Sequence, residues 1–232
     1  MIQFISLNTI TTDVLEIIRQ SKVSRSEPIS KRQIEGWVHR NRAVLIKRDL
    51  DKGKMPNPDY IQEIPAVELE VVDRADGSNI DSANYMLKSK LPLPNTIDLN
   101  FKSGFMFIGT LDGREFQLIP EGRSQWQQYK RYTNKDNVVF TRNGYLYLLS
   151  TDPLRYITVR GVFEVPTEVS NFINPNMPVR TSNTDDHYPI PITLVPALID
   201  MILKNELGIE YKMLSDKSND SASNFESNTE GK

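Results

Sequence analysis

An α+β fold is what this sequence predicts: an N-terminal helical hairpin, a central antiparallel β-sheet with two hairpins, a C-terminal helix and a disordered tail. Three observations carry that expectation. Near the N-terminus, apolar residues recur at 3- and 4-residue spacing, as a helix with one buried stripe requires. Further on, Asp112-Gly113 and Asn143-Gly144 each lie between strand-like runs, where a readiness for positive φ suits a two-residue hairpin turn. Lastly, the stretch from about Leu194 to Glu206 is apolar around most of a helical circumference. The expected divisions are a helical region at 1–64, an antiparallel β domain at 65–165, an extended Pro-rich arm at 166–192, a C-terminal helix at 193–214 and a disordered tail at 215–232.

Thr12 or Asp13 can cap the first helix, with Glu16 three residues after Asp13 and Val14, Leu15, Ile17 and Ile18 as its apolar face. Ser24–Pro28 breaks it. The second helix opens with Ser30-Lys31-Arg32-Gln33, in which the Ser30 hydroxyl can accept the Gln33 amide proton. Ile34, Trp37, Val38, Asn41 and Leu45 then form its stripe, and Gly53 followed by Met55-Pro56-Asn57-Pro58 ends it. Val67–Val72 alternates apolar and acidic residues, as a half-buried strand does. Phe105–Leu111 with Glu115–Ile119, and Val138–Arg142 with Tyr145–Leu149, make the two hairpins; Tyr156–Val165 is a further strand. The Pro-, Asn- and Thr-rich stretch from Pro166 to Pro191 predicts a long arm or loop. Thr193 can cap the last helix and Gly208 can stop it. Its apolar circumference must be covered, either by this chain's core or by a neighbouring protomer.

The chain has 232 residues, enough for a genuine core, with 38% hydrophobic and 25% charged residues. A formal net charge of -2 favours neither a nucleic-acid binder nor its opposite. The distribution says more than the total. Residues 19–54 carry 11 basic and 4 acidic side chains, net +7, while residues 1–18 carry -2, which leaves -7 for residues 55–232. Such segregation often marks a surface with a chosen partner. Cysteine is absent, which removes disulfides, thiol nucleophiles and cysteine metal sites. No basic leader with an apolar stretch opens the sequence, and Leu194–Leu203, broken by Pro196 and Asp200, falls short of the roughly 20 residues of a membrane span. A soluble protein made in a cytoplasm is expected.

Signs of chemistry are sparse. His39 and His187 are the two histidines, too few and too distant for a zinc site without cysteine. Asp185-Asp186-His187 could supply oxygen ligands for a hard cation, but a solvated loop explains it better. Gly122-Arg123-Ser124-Gln125-Trp126 lacks the second glycine of a nucleophile elbow, and Glu68 and Glu70 share what reads as a solvated strand face. No catalytic residue, metal site or cofactor is therefore expected. The basic helix 31–54 is more suggestive. Arg40, Arg42, Lys47, Arg48, Lys52 and Lys54 could neutralise phosphates, and Trp126, Tyr129 and Tyr132 beside Arg123, Lys130 and Arg131 make an aromatic–basic mixture used by single-strand binders. A nucleic-acid-binding module is one reading; a solvated face, or a face for an acidic protein partner, is the other.

The segment Ile34-Glu35-Gly36-Trp37 through Lys47-Arg48-Asp49-Leu50-Asp51-Lys52-Gly53-Lys54, then Pro56-Asn57-Pro58-Asp59-Tyr60-Ile61-Gln62, resembles the opening of virion structural proteins from crAss-like bacteriophages, short-tailed phages of gut Bacteroidales. Tyr188-Pro189-Ile190-Pro191 and Met201-Ile202-Leu203-Lys204-Asn205-Glu206-Leu207 fit the same group, and the resemblance spans about residues 7–210. It implies a non-enzymatic head–tail connector, or neck ring, protein: a homo-oligomeric ring, commonly a dodecamer, beneath the portal protein and beside other tail ring proteins. It also implies a place in the virion after synthesis in the host cytoplasm, passing contact with genomic DNA, no membrane and no cofactor. On that resemblance the interface candidates are Trp37, Arg40, Arg42, Lys47 and Arg48 on the basic helix, and Leu198, Ile199, Ile202 and Leu203 on the last one. A ring subunit needs two unlike lateral faces, which segregated charge supplies.

Overall fold

A computed structural model describes residues 5–20, 29–72, 85–100, 103–130, 136–173 and 185–208. The expected break at Ser24–Pro28, the middle of the arm and the tail at 215–232 lie outside these residues. What is described is the predicted α+β architecture: helices at both ends of the chain and a seven-stranded, mostly antiparallel sheet between them.

Helices α1 (Leu7–Gln20), α2 (Lys31–Asp51) and α5 (Val195–Leu207) pack together around Ile10, Val14, Ile34, Val38, Leu198 and Ile202, all fully buried. The first helix begins earlier than Thr12: the Ser6 hydroxyl accepts from the Thr9 amide, while Thr11 and Thr12 turn their hydroxyls back onto carbonyls four residues earlier. Ser30 caps α2 as expected, accepting from the Gln33 amide at 3.2 Å. Leu194, and not Thr193, precedes α5, because a 3₁₀ turn at Ile192–Leu194 runs into the helix and Pro196 fills its first turn, where no amide is missed. Gly208 closes α5 in the left-handed conformation, as expected.

The strands β1 (Gln62–Val71), β2 (Tyr85–Ser89), β3 (Phe105–Gly109), β4 (Gln117–Leu118), β5 (Val138–Arg142), β6 (Tyr145–Ser150) and β7 (Tyr156–Gly161) lie in the order β3-β7-β1-β2-β6-β5-β4. Long β1 (Gln62–Val71) pairs with β7 (Tyr156–Gly161) over its first half and with β2 (Tyr85–Ser89) over its second. Within the pairing to β7 a bulge falls between Ile64 and Val67, where Pro65 has no amide to give the ladder. The hairpin of β5 (Val138–Arg142) and β6 (Tyr145–Ser150) turns at Asn143 and Gly144, both at positive φ, as expected.

The other predicted hairpin differs. After β3 (Phe105–Gly109), the Asp112-Gly113 turn forms, and Glu115 and Phe116 bridge back to Gly109 and Ile108. The chain then leaves for β4 (Gln117–Leu118), which runs parallel to β5 at the far edge. One segment thus touches both edges and curls the sheet around Ile64, Val67, Leu87, Val139, Leu148 and Val159. Gly109 permits this crossing, since a side chain there would collide with the Arg114 carbonyl.

The expected arm is in part helical. Residues Pro166–Ile173 form α4, with Pro166 at the helix start and Val169 buried against the sheet core. At the arm's other end, His187 bridges Ser6, and Tyr188 donates its amide to Ile5. A last cluster of Ile46, Tyr60, Ile97 and Val162 joins the helices to the sheet.

Candidate assembly surfaces

Helix α2 decides which of the candidate residues can meet a partner. Ile34, Val38, Arg42 and Ile46 recur every four residues, so they share one face, and all four are buried. Arg42 is therefore not an outward cation, which corrects its place among the interface residues. The period that buries Ile34 and Val38 carries it inward too. Its Nε donates to the Pro189 carbonyl at 2.8 Å, its Nη1 donates to the Phe163 carbonyl at 2.9 Å, and its guanidinium lies 5.6 Å from the Tyr188 ring centre. One side chain thereby ties α2 to the end of the arm and to the segment after β7. No carboxylate reaches it among the described residues, and burial lowers its pKa.

His39, three residues earlier on α2, completes this cluster. Its Nδ1 lies 2.9 Å from the Tyr188 hydroxyl. Burial pushes the Tyr188 phenol up, so it remains protonated; the imidazole tautomer decides which of the two atoms donates. Burial first, and the Arg42 charge second, push His39 down to about 4, so it is neutral at physiological pH.

The remaining candidates divide. Arg40 is exposed and pairs with Glu206 on α5 at 3.3 Å. Arg48 is exposed, whereas Trp37 and Lys47 are half-buried. Trp37 packs against the helical cluster. Leu198, Ile202 and Leu203 are buried inside this chain, covered by α1 and α2, and Ile199 is half-buried on the same cluster. The apolar circumference of α5 is thus satisfied by its own chain, which leaves those three residues unavailable to a neighbour. A polar seam pins the helix: buried Asn41 donates to the Trp37 carbonyl at 2.9 Å and accepts from Asn205 at 3.3 Å.

Two surface features were not legible as such in the sequence. An apolar-lined groove of about 420 Å3 runs along α2 past Gly36, His39, Ala43 and Val44, with Ile97 and Val165 on its other wall. On the connection from β4 to β5, Trp126 and Tyr129 stand out into solvent at 65% and 73% exposure. A glycine inside an amphipathic helix was the available signal for the groove. The sequence sets this aromatic pair beside basic neighbours, of which Arg131, like Tyr132, lies outside the described residues.

Among the described residues, no group of three or more histidines and carboxylates is placed to hold a metal ion. Asp185 instead accepts from the Asn8 side chain at 2.9 Å. Glu68 pairs with Lys90 at 3.0 Å on the solvated face expected of it. No helix among these residues is long and apolar enough to cross a membrane.

Among the described residues, the surface presents an apolar-lined groove and an exposed aromatic pair. The family of phage tail ring protein 2 matches residues 9–228, and the chain belongs to that family. It is similar to Ring protein 2 of Bacteroides phage crAss001, with 24% identity over 193 residues, covering 77% of this chain and 80% of that protein. The resemblance to crAss-like phage proteins is borne out: this is a crAss-like phage ring protein.

Proposed function

We propose that this ring protein works at the head–tail junction, where copies close into a ring, twelve in number, that joins the portal to the next tail component and surrounds the DNA exit channel. The family match over residues 9–228 is the observation that carries the reading. Physical features support it. The helices and the sheet share the cluster around Ile46 and Val162, so a load on one is transmitted to the other. A formal charge of -2 suits a wall past which DNA slides without sticking. Exposed Arg48 offers a cation to an acidic partner.

The rival reading, a nucleic-acid module using helix 31–54, has lost part of its footing. Arg42 is buried, while Arg40 and Lys54 are paired with Glu206 and Asp49. Mass spectrometry of purified virions and negative-stain imaging of the chain co-expressed with portal test the proposal. The expected outcome is a virion component that forms rings on the portal; absence from virions overturns it.

A further inference from the structure

Trp126 and Tyr129 are the most exposed aromatic side chains among the described residues, at 65% and 73%. Large rings left in water mark a surface that takes a partner. They pack on each other at 6.0 Å between ring centres. Their base is fixed. Ser124, at the end of the short helix α3 (Glu121–Ser124), is buried and donates to the Glu121 carbonyl, and Gln127, between the two rings in sequence, is buried as well.

The unpaired charges beside the rings are cations. Arg123 and Lys130 are exposed, and neither has an ion-pair partner among the described residues. Glu121, the nearest carboxylate in sequence, is held by Arg142. Asp136 lies at the far end of the connection, and Arg131 and Lys135, outside the described residues, precede it.

The chain carries a segment of the opposite character. Between Lys217 and Lys232 it has three carboxylates, Asp220, Glu226 and Glu230, no cation, and one large apolar side chain, Phe225. Carboxylates at 220 and 226 bracket Phe225 as Arg123 and Lys130 bracket the aromatic pair. The family match runs to residue 228, so Phe225 lies within the family's pattern. Phe225 is 17 residues beyond Gly208, where α5 closes. That length of chain spans up to about 60 Å, on the order of the width of a domain this size.

We propose that Trp126 and Tyr129 receive Phe225 of the same chain, with Arg123 and Lys130 facing Asp220 and Glu226. Ring-on-ring contact supplies the apolar part, and the flanking charges fix the register. Tethering favours the chain's own segment over another copy's, because it holds that segment at an effective concentration on the order of millimolar. The contact forms within one chain, so it stands apart from the ring reading.

The absence of cysteine makes the test direct. In the full chain, Gln125→Cys with Asn224→Cys leaves every proposed contact residue in place. A short bismaleimide should join the two cysteines within one chain, read by intact mass and peptide mapping. Arg123→Glu with Lys130→Glu should slow that joining about ten-fold, and adding Asp220→Lys with Glu226→Lys should restore it. Arg123 and Lys130 are exposed, so the thermal midpoint should hold throughout. A rate unmoved by charge reversal, a reversal that the swap does not rescue, or a product formed only between chains overturns the contact. Where the swap fails and a short oligothymidylate quenches Trp126 emission, the patch belongs to single-stranded nucleic acid instead. Each of these outcomes leaves the ring reading untouched.

Discussion

Arg42 and His39 are three residues apart on α2, and the structure buries a charge in one and removes it from the other. The Arg42 guanidinium keeps two buried carbonyls satisfied, those of Pro189 and Phe163. Arg42→Ala leaves both orphaned beside a cavity, an expected loss of about 2–5 kcal/mol in urea unfolding. Arg48→Ala on the exposed face changes stability by less than about 0.5 kcal/mol. His39 adds a pH dependence. Its folded value of about 4 lies below the ordinary 6.5, so the unfolded chain binds more protons in between. Its contribution is complete above pH 6.5 and is lost as pH falls toward 4, by as much as roughly 3 kcal/mol. Urea midpoints of wild type and His39→Gln, compared at pH 7, 5 and 4, should converge as the pH falls. Charge counting placed Arg42 outward, whereas four-residue spacing from Ile34 and Val38 would have placed it inside. Its partner Tyr188 was invisible, because 146 positions separate them and nothing local encodes the meeting.

Elements were most legible where local chemistry alone decides them. Ser30 and Gly208 bound their helices because hydroxyl capping and left-handed glycine act within one turn. Asn143-Gly144 made its hairpin for the same reason. Asp112-Gly113 made its turn too, but the strand beyond it went to β5, since the sheet's two edges compete for one segment. Helix α4 was missed because Pro166 reads as a breaker when it in fact starts the helix. The last helix could face its own core or a neighbour, and only the packing of α1 and α2 over Leu198 and Ile202 distinguishes the two. Leu198→Ala should therefore destabilise the isolated monomer, by about 2–5 kcal/mol in urea unfolding. An interface role alone would leave the monomer unchanged and weaken only assembly.

At the scale of the whole molecule, three helices and a curled sheet are joined through Ile46, Tyr60, Ile97 and Val162. Ile46→Ala should lower the thermal midpoint of both parts together, read as one cooperative transition by helical and aromatic signals; two separate transitions would show that the parts are not coupled. The ring role itself was not written in composition or spacing. It was legible only through resemblance, because assembly surfaces are ordinary surface residues until a partner covers them. The central claim is tested most directly by a symmetry-resolved electron-microscopy map of the virion neck with this chain traced. The account predicts twelve copies in a closed ring between portal and tail, around the DNA channel. Density placing the chain outside the neck, or as isolated copies with no closed ring, would contradict it.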